Sequence, residues 1–77
     1  MMSIRPMVDE FQARQAAAAE ARRAVDAARH AHQLAASRLA YATRTRKPEG
    51  ALQQLREAEY ATRITLQRAR RALLRAM

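Results

Sequence analysis

A chain of 77 residues makes at most one small domain, and with no cysteine it is not a disulfide-stapled secreted scaffold. Apolar residues are 49% of it, yet alanine supplies more than half of these and aromatics only 4%, which excludes a bulky core and leaves a thin, closely approached one. Fifteen basic residues against seven acidic give a net charge of +8, a balance suited to polyanions or to an acidic protein surface; enrichment in Arg and Ala is also what a GC-rich genome produces.

The N-terminal stretch MMSIRPMVDEF lacks the apolar centre of a signal peptide. No run along the chain approaches the roughly 18 apolar residues of a membrane span. A soluble cytoplasmic protein is the expectation, with residues 1 to 7 as a disordered tail.

Between Asp9 and Thr43 there is neither Gly nor Pro, and strong helix formers dominate. Phe11, Ala18, Val25, His32 and Leu39 recur at heptad spacing, with Ala21, Ala28, Ala35 and Ala42 three places after the last four. This is a coiled-coil seam with small residues at its second position. Ala17, Ala24 and Ala31 lie beside the seam and Leu34 and Tyr41 beyond them, so the apolar arc is wider than one partner helix covers. Arg22, Arg23, Asp26, Arg29 and His30 take the other side.

The segment RTRKPEG, residues 44 to 50, holds the only Gly and one of the two prolines. Pro48 suits a first helical turn and Glu49 the positive end of a helix dipole, while Arg44, Arg46 and Lys47 suit the negative end of the preceding helix. The predicted boundary is therefore a stop near Thr45 and a new start near Pro48, and so short a connection makes the two helices antiparallel neighbours. One long helix kinked at Pro48 is the competing arrangement. The second helix carries Leu52, Leu55, Leu66, Ala69, Leu73 and Ala76 on its seam, interrupted by Glu59 and Thr62, and a separate outer set of Tyr60, Ile64 and Leu74.

The fold expected is all-α: one domain over residues 1 to 77, an antiparallel two-helix hairpin with helix 1 at about 8–45 and helix 2 at about 48–76, completed by oligomerisation or by a partner chain. At 1.5 Å per residue the helices are roughly 55 and roughly 43 Å long, so helix 2 is expected to run out near Ala18. Met7, Val8 and Phe11 then project beyond it.

Chemistry has little to build on. Serines and threonines sit in no Gly-rich turn or strand-to-helix elbow. His30 and His32, two apart, point to different sides of a helix; Asp26 and His30 make only two ligands; Glu59 is placed to pair with Arg63. No enzyme, metal or cofactor is expected, and no small-molecule substrate. Candidate partner-binding residues are Phe11, Leu34, Tyr41, Tyr60, Ile64 and Leu74. Arg56, Arg63 and Arg70 recur every seven residues and, with Arg71, are candidates for contacting nucleic-acid phosphates without base readout; a solvated face of salt-bridged arginines is the plainer alternative.

At PEGALQQLREAEYATRITLQRARR, residues 48 to 71, the chain resembles the YscE-like small helical-hairpin chaperones of bacterial type III secretion. The likeness lies in a loop Pro-Glu, a Gln/Leu-rich first turn, Ala58-Glu59 with Ala61, and the closing pair Arg70-Arg71. It implies a cytoplasmic, non-enzymatic chaperone for a needle subunit, working in complex with a larger co-chaperone and docking through Tyr60, Ile64 and Leu74. The alternative is a basic hairpin dimer binding RNA or DNA, similar to Rop in architecture alone.

Overall fold

The computed structural model describes residues 5–77, with side chains from Val8 onward. It is an antiparallel hairpin of α1 (Arg5–Arg44) and α2 (Glu49–Ala76), with no strand among the described residues. α1 starts at Arg5, before the expected residue 8, and the remainder of the predicted tail lies outside the described residues. Its Cα radius of gyration is 19.2 Å, against about 11–12 Å for a compact globule of this length. The molecule is a rod.

Both seams assemble as the heptads predict. Val25, Ala28 and Leu66 form the centre of the core, with Ala69 and Leu73 packed against it, and His32 lies across from Glu59 at 3.3 Å. Ala18, Ala35 and Ala42 are buried along the rest of the α1 seam. Alanine there permits close approach. The Cα envelope is 13 Å across in both short directions, which leaves about 8 Å between helix axes, the near end of the usual range.

The turn differs from its prediction in which residue does the work. The Lys47 amide donates to the Ala42 carbonyl at 3.0 Å and the Arg46 amide to the Thr43 carbonyl at 3.2 Å, the paired bonds of a Schellman motif. The left-handed residue this motif requires is Arg46, at φ 55°, rather than a glycine. Pro48 serves as N-cap of α2 at φ −57°, ψ 152°. Its carbonyl accepts from the Leu52 amide at 3.0 Å. Gly50 is an ordinary residue of the first turn of α2, with a negative φ and nothing within 4 Å of where a Cβ would stand.

With the helix boundaries at Arg44 and Glu49 close to those expected, the tight turn at residues 45 and 46 lets α2 reach further along α1 than expected. Ala76 and Met77 border Phe11, Arg14 and Ala18. The predicted end near Ala18 is thus corrected by about a turn. Phe11 nonetheless stays 62% exposed and Val8 43%, since the α1 seam continues past the last residue that α2 offers it.

Candidate functional site: the two sides of the hairpin

In an antiparallel pair, equivalent heptad positions flanking the seam meet on the same side of the rod. With Val25 and Leu66 in the core and His32 opposite Glu59, one side is built from Ala17, Ala24 and Ala31 of α1 beside Ala58, Thr65 and Ala72 of α2, all exposed. On the α1 flank of this side stand Leu34, 44% exposed, and Tyr41, 58% exposed. The other side carries Gln15, Arg22 and Arg29 of α1 beside Arg56, Arg63, Arg70 and Met77 of α2. An open cleft of about 360 Å³ at the free end, lined by Gln15, Arg22 and Met77 among others, bears out this assignment.

The six residues expected to bind a partner therefore do not form one surface. Leu34 and Tyr41 flank the alanine side. Tyr60 and Leu74, 58% and 72% exposed, share one heptad position of α2 and flank the arginine side, diagonally across the rod. Ile64 is half-buried, at the heptad position that faces away from the seam, and Gln67 and Arg71 separate it from Leu74. Phe11 belongs to the cleft at the free end. No single helix covers all six.

The arginine row is likewise uneven. Arg56 Nη1 donates to Glu49 Oε1 at 2.6 Å, and Arg63 Nη2 lies 3.4 Å from Glu59 Oε2 while its guanidinium sits 5.4 Å from the Tyr60 ring centroid. Arg70 and Arg71 have no carboxylate within ion-pair distance among the described residues. Arg22, missed when helix 2 was read alone, faces Arg70 in the observed register, and Arg29, held only at 3.9 Å by exposed Asp26, faces Arg63. The signal was available: Arg22 and Arg29 are themselves one heptad apart, but only the pairing register places them opposite the α2 row.

The polar seam residues form one layer. Glu59 joins His32 across the hairpin and Arg63 along its own helix, so the apparent interruption of the α2 seam is met by a polar residue of the facing α1 seam. Thr62, the second interruption, returns its hydroxyl to the Ala58 and Glu59 carbonyls at 3.0 and 2.9 Å. No group of three or more metal-ligating side chains occurs among the described residues. No helix there is long and apolar enough to cross a membrane. No protein-family model matches this chain, and no curated protein or solved structure matches it either.

Proposed function

We propose that the hairpin is a non-enzymatic interaction module that functions as part of a larger helical bundle, with a second helical layer seated on its alanine side. The observation that carries this reading is the thinness of the core. Among the described residues only Val25 and Leu66 are buried and larger than alanine, and no side chain is fully enclosed. Two such residues contribute about 1.5–3 kcal/mol each, a small return for ordering so long a rod, while Leu34 and Tyr41 remain in water beside a flat alanine surface.

The occupant that fits is a second copy of the chain. Ala17, Ala24 and Ala31 of α1 and Ala58, Thr65 and Ala72 of α2 are uncharged, and the arginines that border this side, Arg68 and Arg75, lie on its α2 margin, so two copies meet best over the α1 margin, where Leu34 and Tyr41 stand. The paired part of the hairpin is about 42 Å long, enough to bury on the order of 600 Å² per chain, the lower range for a stable interface. Within the same class of function, the likeness of residues 48 to 71 to needle chaperones points to a different occupant, a secretion co-chaperone.

Sedimentation equilibrium at roughly 5 to 100 µM separates these. A dimer is expected, with A24E/L34E shifting it toward monomer by at least tenfold in Kd, about 1.4 kcal/mol, while helicity is retained. A compact monomer throughout, with a melt independent of concentration, would remove the second copy as occupant.

A further inference from the structure

We infer that the arginine side of the hairpin is a binding track for the phosphate backbone of duplex nucleic acid. It is formed by both helices together, with Arg22 and Arg29 of α1 facing Arg70 and Arg63 of α2. This goes beyond the interaction module proposed above and does not depend on it, because the track lies on the opposite side of the rod from the alanine surface.

Three observations support the assignment. The first is where the charge lies. Residues 14–31 and 60–77, which face one another, hold nine arginines against Glu20 and Asp26, so +7 of the chain's +8 sits in the half of the paired rod away from the turn. The plainer reading, a solvated face of mutually neutralised ion pairs, accounts for Arg56 with Glu49, Arg63 with Glu59 and Arg29 with Asp26 but not for the other arginines of this half. Arg22 and Arg70 of the track, and Arg68, Arg71 and Arg75 on the other faces of α2, have no carboxylate partner among the described residues.

The second is the register. Facing arginines repel across the hairpin, and a sequence needing only helicity and solubility is better served by Glu at one of each facing pair. Like charges in two layers, about 10 Å apart along the axis, offer guanidinium groups in a straight line. Guanidinium forks match phosphate geometry.

The third is what accompanies the charge. Gln15 and Gln67 border the track; of the aromatics near it, Tyr60 is covered by Arg63, and Phe11 stands beyond its end, in the cleft that Arg22 also lines. Single-stranded binding depends on stacking bases against free aromatic faces, which the track lacks. A rigid rod with forked cations and no stacking platform suits the backbone of a stiff duplex and reads no bases. Its apolar residues are Tyr60 and Leu74 on the flank and Met77 at the end, too few to seat the track in a lipid surface.

Anisotropy of a fluorescein-labelled 20-base-pair DNA duplex, titrated with the full chain across 50 to 300 mM KCl, tests this; the duplex length and salt range are about those over which phosphate contacts dominate. Binding at the lowest salt is expected, with a log–log slope of about −3 to −4, as four phosphate contacts give, and equal affinity for duplexes of unrelated sequence. R22Q/R29Q/R63Q/R70Q is expected to weaken binding at least tenfold and flatten the slope. R38Q/R44Q/R46Q/K47Q, which removes the same charge from outside the track, is expected to leave at least half the affinity; circular dichroism confirms that both variants are helical. Equal loss in the two variants would mean that total charge binds, not the track, and would overturn the proposal. So would no binding at the lowest salt, or track-dependent binding to phosphatidylglycerol vesicles with none to the duplex. A monomeric chain that still binds the duplex through these four arginines would refute the dimer and leave the track standing.

Discussion

Arg46 is the residue on which the hairpin turns, and it is held where side chains are disfavoured. A non-glycine residue in the left-handed region costs on the order of 1 kcal/mol, and Arg46, at φ 55°, bears it so that the Ala42 and Thr43 carbonyls find donors. Arg46→Gly is therefore expected to stabilise the fold by about 0.5–1 kcal/mol. Gly50→Ala should give a similar gain for the opposite reason, since Gly50 is helical and open space surrounds its missing Cβ. Urea denaturation checks both, and a loss in either would refute the corresponding account. The sequence points elsewhere here: Gly50 and Pro48 are the visible punctuation, while a left-handed arginine has no compositional signature.

At the scale of the elements, two helices and their seams were legible because heptad spacing runs from Ala18 to Ala42 and from Leu52 to Ala76, with Glu59 and Thr62 its interruptions in the second helix. His32 and Glu59 looked like flaws in those seams when each was read alone. Facing one another at 3.3 Å, they form a polar layer that fixes which turn of α1 meets which turn of α2, the best attested use of a polar seam position. H32L/E59L is expected to raise stability by about 1–2 kcal/mol, read from the denaturation midpoint, while broadening the register, read as new cross-links between cysteines introduced at positions 24 and 72, one heptad out of the native pairing. A drop in stability would show that this layer contributes more than leucine packing can. The division into an alanine side and an arginine side was only half legible, because it depends on how the two helices are set against each other and not on either periodicity alone.

For the whole molecule, charge and shape act together. A rod 72 Å long and 13 Å wide keeps every charge close to solvent. Facing arginines at the free end therefore oppose folding through a field that salt screens within about 10 Å at 0.1 M. Raising NaCl from about 0.05 to 0.5 M should increase the Tm by a few degrees, and R22Q/R70Q should both raise the low-salt Tm and remove most of that increase. A Tm that falls with salt would mean that the ion pairs at Arg56 and Arg63 outweigh the repulsion.

The Schellman turn also dictates an order of events. Near it, Ala42 and Leu52 come together across a short loop, whereas Ala18 and Leu73 can meet only after most of the chain has been drawn in; closure entropy favours the near pair first. Folding should then zip from residues 45 and 46 outward, and Arg22 should come opposite Arg70 only after the rate-limiting step. Repulsion that forms so late acts on unfolding alone. In stopped-flow chevrons, salt should slow the unfolding arm and leave the refolding arm almost unmoved; the reverse would place the free end in the folding nucleus.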